Sequence, residues 1–176
     1  MDAVAGTYDY RADPVLGEAL AYWRSKRGSR SMPARRDIDP VEMPKLLPHI
    51  QLIDIMPDGR SRYRLVGTLL VKAYGRDYTG KYAGELYDGK RGQSIVEHHR
   101  AVCVAGQPAF VRSRYITEKD ADLIANRLYL PLSDNDLDVN MILAVLTLNY
   151  GTMAPAPGEW GAAKFTAADV EMVDAD

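Results

Sequence analysis

The chain has 176 residues, of which 47% are hydrophobic and 26% are charged, so it is long enough to bury a core without disulfide or metal support. Its formal net charge of −2 excludes nucleic-acid binding that works through bulk positive charge. The single cysteine, Cys103, excludes an intramolecular disulfide and a cysteine-based zinc cluster. Because no apolar run reaches membrane-spanning length and no signal peptide is visible, we expect a cytoplasmic protein without membrane contact.

The first predicted element is an amphipathic helix over residues 13–28, which follows a small, polar extension over residues 1–12. Asp13 can cap the free amides at the helix start, and Pro14 suits the first helical position because its missing N–H has no partner there. An apolar stripe recurs at helical spacing and needs a surface to pack against. The stripe consists of Leu16, Leu20 and Trp23.

A short helix is predicted after Asp39-Pro40, and strand patterns follow at residues 49–56 and 62–67. Between the two strands, Pro57-Asp58-Gly59 predicts a tight turn, because proline fixes φ and glycine tolerates positive φ. The pair of strands is therefore expected to form an antiparallel hairpin.

The remaining elements indicate an α+β domain over residues 13–150. A short helix (68–74), a helical turn (83–86) and a longer helix (93–105) precede three strands at 109–117, 123–133 and 139–149. Short polar connections between the strands favour hairpins, so we expect a five-stranded antiparallel sheet with the middle helices on one face. Residues 151–176, rich in glycine and proline at their start, are expected to form an extension with little core of its own.

The last predicted strand is apolar on both of its faces. Met141, Leu143 and Val145 point one way, whereas Ile142, Leu146 and Leu148 point the other. Such a strand is expected at the centre of a sheet that is covered on both sides. The middle helices can cover one face, and either the helix with Leu16, Leu20 and Trp23 or a second copy of the chain covers the other. These three residues are therefore predicted to contact the sheet, a dimer mate or another partner.

The order of elements resembles that of a PAS domain, and the sequence motifs resemble those of the stand-alone bacterial PAS proteins of the PAS_5 family. The resemblance runs from about Val15 to Asn149 and is carried by four segments in order: Trp23–Gly28, Met32–Pro40, Leu46–Asp54 and Tyr63–Gly80. It implies a sensory or regulatory role, a small-molecule cavity and no catalytic reaction. It also implies output through an effector protein, because no kinase, cyclase-type or DNA-binding segment is visible.

Seven residues are predicted to line a ligand cavity between the sheet and the middle helices. Four are tyrosines, which combine an apolar body with one polar group, and the alternative for each is ordinary core packing. The predicted lining residues are Tyr63, Tyr74, His99, Cys103, Tyr115, Tyr129 and Leu143. On the strands, Arg112, Arg114 and Arg127 would either converge on an anion such as a carboxylate or lie solvated on an outer face.

The longer helix carries the only adjacent histidines. Helical spacing directs His99 towards the core and His98 towards solvent. Haem-binding PAS domains resemble this arrangement, so one hypothesis is that His99 ligates haem iron. The alternative is a buried histidine that is hydrogen-bonded to a neighbour. Cys103 lacks the motif of a flavin-reactive cysteine and is expected to be an inert thiol.

Three functions are compatible with these residues. The first is a non-enzymatic sensory or regulatory domain that binds a small ligand, forms a homodimer and signals through an effector protein. The second is an interaction module without a ligand, and the third is a small α+β enzyme, for which no paired acid and base can be assigned. The basic stretch over residues 24–36 would contact an acidic partner or nucleic acid, or would simply be solvated.

Overall fold

The computed structural model describes residues 8–87, 89–150 and 156–175. Its helices are α1 (Pro14–Arg27), α2 (Thr68–Tyr74), α3 (Ala83–Leu86), α4 (Gly89–Ala105) and α5 (Glu159–Ala162), and 3-10 turns lie at Arg35–Asp37, Pro40–Glu42 and Leu47–His49. Its strands are β1 (Ile50–Ile55), β2 (Ser61–Val66), β3 (Ala109–Ile116), β4 (Asp122–Leu132), β5 (Met141–Tyr150) and β6 (Lys164–Met172). Within the described ranges, no helix is both long and apolar enough to cross a membrane.

The strands form one antiparallel sheet in the order β2-β1-β5-β4-β3-β6. Strand β5 lies between β1 and β4, and its residues from Met141 to Thr147 are all buried. The predicted α+β class, the antiparallel pairing and the central place of the last predicted strand are confirmed. The sheet has six strands instead of the five predicted, because β6 adds a strand at the β3 edge.

Helices α4 and α1 cover opposite faces of the sheet. The ring of His99 in α4 lies 5.2 Å from the ring of Tyr129 in β4, and Tyr129 is paired with Ala144 of β5. The hydroxyl of Thr147 donates to Asp13 at the start of α1, over 3.4 Å. Side chains alternate along a strand, so Ala144 and Thr147 point to opposite faces. Central strand β5 is therefore covered on both sides within one chain.

Helix α1 begins and ends where its sequence predicts. The Asp13 carboxylate accepts from the amides of Val15 and Leu16 at 2.8 and 3.0 Å, and Gly28 ends the helix at a φ of 60°. The side chains of Leu16, Leu20 and Trp23 are at most 2% exposed. Their contact surface is the sheet of their own chain, so they offer no exposed area to a dimer mate or another partner.

Residues outside the predicted domain also join the core. Strand β6 pairs with β3 along its whole length, and Trp160 of α5 is only 1% exposed. In the N-terminal extension, the ring of Tyr10 stacks on Phe110 with centroids 4.7 Å apart. The expectation that residues 151–176 have little core is therefore wrong for the described part, 156–175. Its sequence signal is weak because β6 is an edge strand whose residues are mostly exposed.

Trp23 is expected to be a major source of stability, because its ring is fully buried and its Nε1 donates to the Pro131 carbonyl at 2.8 Å. Trp23→Ala should lower the free energy of unfolding by about 3–5 kcal/mol, measured by urea denaturation. The matched control is Val41→Ala, whose side chain is 83% exposed and whose loss should cost under about 0.5 kcal/mol. A Trp23→Ala effect that shrinks on dilution would instead place this side chain in an interface between copies, because dilution removes the stabilisation that a dimer gives the wild type.

Candidate functional site

The seven predicted cavity residues do not all lie on one face of the sheet. Tyr129 is paired with Ala144 and Leu130 with Leu143, so Leu143 and Tyr129 point to opposite faces of the sheet. Leu143 lies on the α1 side, whereas His99 packs on the side of Tyr129. The prediction that places Leu143 in a cavity with Tyr74 and His99 is therefore wrong. The pairing of β5 with β4 decides which face of the sheet Leu143 occupies. The sequence alone does not show which face of β5 α4 covers.

The tyrosines of this group belong to a packed aromatic core beneath α2 and α4. Tyr74 contacts Tyr78 edge-on at 4.9 Å, and Tyr78 contacts Tyr63 edge-on at 5.0 Å. Burial raises the pKa of Tyr63 well above its ordinary value and that of Tyr129 to about 12, so both phenols stay neutral. Cavities border α4 between residues 89 and 101, and their lining does not include any of the seven.

His99 is a core histidine, as the helical spacing predicts. It is 2% exposed, and its Nδ1 shares a hydrogen bond of 2.8 Å with the Ser61 hydroxyl. Its ring meets Tyr129 and Tyr63 edge-on, its Nε2 is buried, and it lines none of the cavities along α4, so a porphyrin could reach Nε2 only by displacing core side chains. The haem hypothesis does not fit this packing.

His98 differs from its prediction, because it is only 8% exposed. Its Nε2 lies 3.3 Å from the Ser94 hydroxyl, and its ring lies 6.3 Å from that of Tyr129. Burial, together with the charge of Arg127, lowers the pKa of His98 to about 4. Strand β6, which the sequence did not reveal, packs beside α4 and covers the helix face that was expected to meet solvent.

Cys103 lies half-buried on α4 at the edge of the core. Burial raises the pKa of its thiol to about 11, so the sulfur is protonated at neutral pH. A protonated thiol is a poor nucleophile, which agrees with the inert role expected for this residue.

Two buried guanidinium groups form a cluster: Arg127, which the sequence named as an anion-site candidate or a solvated side chain, and Arg91, which it missed. Arg91 of α4 is 7% exposed and Arg127 of β4 is 3% exposed. Arg127 donates to the hydroxyls of Ser113 and Tyr115 at 3.1 and 2.8 Å. Among the residues that the structure describes, no carboxylate forms an ion pair with either group. Buried charges without a counterion are costly, so this cluster is an unusual electrostatic feature of the described part of the chain.

Arg91 fastens the C-terminal segment to the domain. Its Nη1 donates to the backbone carbonyls of Trp160, Gly161 and Ala163 at 3.0 to 3.2 Å. Its guanidinium carbon also lies 4.2 Å from the ring centre of Tyr87 and 4.7 Å from that of Tyr115. These cation–π contacts and hydrogen bonds fix the position of the group.

A cavity of about 430 Å³ opens beside Arg91, between the start of α4 and the start of β6. Its other lining residues are Leu86, Tyr87, Lys90, Gly161, Ala163, Lys164 and Phe165. Three of the lining side chains are cationic and none is acidic. One signal in the sequence pointed to it: Lys90 and Arg91 lie in the first turn of α4, where cations oppose the helix dipole. The predicted helix began at Gln93, so Lys90 and Arg91 were not recognised as residues of its first turn.

The three strand arginines do not converge on one site. Arg112 and Arg114 pair with Asn126 and Ile124, so they point to the face of the sheet opposite Arg127. Arg114 forms an exposed ion pair with Asp122 at 2.8 Å, as the solvated alternative for that residue predicts, whereas Arg127 is buried. In the basic stretch over residues 24–36, Lys26 pairs with Glu42 at 2.5 Å and Arg30 with Asp37 at 2.7 Å. These cations are therefore matched locally by acidic side chains.

The buried histidines should make the fold sensitive to acid. Burial lowers the pKa of His99 to about 3 and that of His98 to about 4, from an ordinary 6.5. The unfolded chain therefore takes up protons first, so stability is complete above pH 6.5 and falls as the pH drops. Between pH 7 and 5 each histidine should cost about 2 kcal/mol of unfolding free energy.

Urea denaturation at several pH values tests this expectation. His98→Gln and His99→Gln should each flatten the slope between pH 7 and 5, whatever their effect on stability at pH 7. Between pH 7 and 8, where the histidine contribution nearly vanishes, the slopes of variants and wild type should agree. Equal slopes between pH 7 and 5 would show that these residues are not buried in neutral form.

One comparison with known protein families agrees with this architecture. No curated protein matches the chain. A family model described as PAS_5, PAS domain, matches residues 12–147, from the residue before the α1 cap through most of β5. Helix α5, strand β6 and the Gly161–Phe165 wall of the cavity lie beyond the matched segment. On this match, which covers more than half of the chain, the protein belongs to the PAS_5 family of PAS domains.

Proposed function

We propose that the protein is a non-enzymatic sensory or regulatory domain that binds a small ligand and signals through protein–protein contacts. Membership of a PAS family supports the sensory or regulatory role. The single observation that carries the ligand is the cavity beside Arg91, where a buried cation lacks a counterion among the described residues. A pocket with few, convergent polar groups is the usual form of a small-molecule site.

The geometry favours this cavity over the predicted one. Tyr63, Tyr74, Tyr115, Tyr129 and His99 are buried against one another or against neighbouring rings, so a ligand among them would have to displace core side chains. Displacing core side chains is costly because protein interiors are close-packed. The cavity beside Arg91 already provides open space for a ligand.

The proposal includes a homodimer and a separate effector protein. Strand β6 ends the sheet on the side opposite β2, and an edge strand presents unpaired backbone groups to another chain. Because residues of β6 line the cavity, a ligand there would act directly on the element at the sheet margin. Ligand binding could therefore change how the β6 edge contacts a partner protein.

The alternative function is an interaction module without a ligand. The filled aromatic core beneath α2 and α4 favours it, since the predicted lining residues serve as packing. This alternative predicts a partner that binds whether or not a metabolite is present.

A thermal-shift screen of the wild-type protein against a library of small metabolites tests the proposed function. A ligand at 100 times its Kd should stabilise the fold by about 2.7 kcal/mol, which corresponds to a rise in Tm of roughly 5 °C or more. Two variants are screened beside the wild type. Tyr87→Phe keeps the ring that contacts Arg91, and Tyr150→Phe is the remote control. Both should retain the fold. Native mass spectrometry of protein isolated from its own cells is the second measurement.

No shift from any compound, together with a partner that co-purifies without added metabolite, would reject the ligand and favour the interaction module. Size-exclusion chromatography with light scattering tests the homodimer, and a monomer at all concentrations would remove that part of the proposal.

A further inference from the structure

We propose that the cavity between the first turn of α4 and the start of β6 binds a small anion with at least two negative charges, carried by carboxylate or phosphate groups. This inference rests on the proposed function and adds the chemical class of its ligand. It depends on three cationic side chains, Arg91, Lys90 and Lys164, which line one cavity of about 430 Å³.

The unused nitrogens of Arg91 match the geometry of such an anion. Its Nη1 is occupied by backbone carbonyls, whereas its buried Nε and Nη2 have no hydrogen-bond partner. These two nitrogens form one edge of the planar guanidinium, with the spacing that binds two oxygens of a carboxylate or phosphate at once. Both nitrogens are covered by protein atoms, so a neighbouring side chain must shift before an anion reaches this edge, where it would satisfy both donors and neutralise the buried charge.

The lysines complete the positive surface. Lys90 and Lys164 are exposed, line the same cavity and form no ion pair with a described residue. The cavity begins at the N-terminus of α4, a helix of 17 residues whose free amides and dipole also favour an anion. One guanidinium can neutralise one negative charge, so the added lysines indicate a ligand with two or more.

The aromatic walls strengthen this attraction. Tyr87, Tyr115 and Trp160 surround the guanidinium with ring centres 4.2, 4.7 and 5.3 Å from its carbon. They exclude water from one side of the site, and charges attract more strongly where the surrounding dielectric is low. The rings also hold the guanidinium in one orientation, so little conformational entropy is lost on binding.

A bound anion would tie the C-terminal segment to the domain. The cavity wall from Gly161 to Phe165 belongs to α5 and β6, and the opposite wall belongs to α3 and α4. An anion that contacts Lys164 and Arg91 bridges the two walls. Anion binding should therefore slow the local opening of β6, in addition to raising the overall stability.

Isothermal titration calorimetry of the full chain at constant ionic strength tests the proposal, with inorganic pyrophosphate and succinate as the two probes. The two arms distinguish phosphate from carboxylate as the preferred group. The double variant Lys90→Gln, Lys164→Gln should bind the preferred probe at least about tenfold more weakly, because it loses two charge-assisted contacts. The control double variant Lys45→Gln, Lys72→Gln changes the net charge equally but lies at exposed positions outside this cavity, and its affinity should stay within about twofold.

Arg91→Lys supplies an independent check, because it keeps the charge and loses the two-nitrogen edge. Its affinity should also fall at least about tenfold, and its Tm is measured first because the backbone bonds to α5 are lost as well. If this variant does not fold, the lysine pair still decides the question. Hydrogen exchange of the β6 amides should slow in the wild type when pyrophosphate or succinate binds.

Equal weakening in the two double variants would overturn the site, since the attraction would then follow net charge alone. If neither probe binds but a neutral or cationic compound raises the Tm, the anionic class is wrong and the proposed function stands. If no compound of any charge binds, both proposals fail together.

Discussion

Burial of β5 on both of its faces is the constraint on which the architecture depends. Seven consecutive residues of this strand, Met141 to Thr147, are buried. A strand of this kind is unstable in water unless two layers cover it. Helix α1 supplies one layer and α4, with the aromatic residues beneath it, supplies the other. Because both layers come from the same chain, the fold does not need a second copy to complete its core.

The two layers contribute different chemistry. The α1 side is dominated by apolar side chains such as Leu16, Leu20 and Trp23, and its role is structural. The α4 side carries tyrosines, histidines and two arginines, whose polar groups are expensive to bury. Hydrogen bonds and ring contacts offset part of that cost, but Arg91 retains two buried nitrogens without a partner. This residual cost lies beside the cavity, where a ligand could reduce it.

The part of the chain beyond the family match changes what the domain can do. Without α5 and β6, the described sheet would end at β3 and the backbone carbonyls that hold Arg91 would be absent. The C-terminal segment adds an edge strand, closes the cavity and covers His98. The shared PAS fold thus provides a scaffold, and a segment outside the matched residues supplies half of the proposed site.

The sequence by itself determined the α+β class, the start and end of α1, the hairpin order and the central place of β5, because caps, turn residues and apolar runs act within a few residues of chain. It also determined that His99 faces the core, since helical spacing fixes which side chains share a stripe. Only the tertiary structure decided that Leu143 faces α1 instead of His99, that β6 joins the sheet and that Arg91 meets Trp160. These contacts join residues that are distant along the chain, and the strand register and edge pairing that create them depend on the packing of the whole domain.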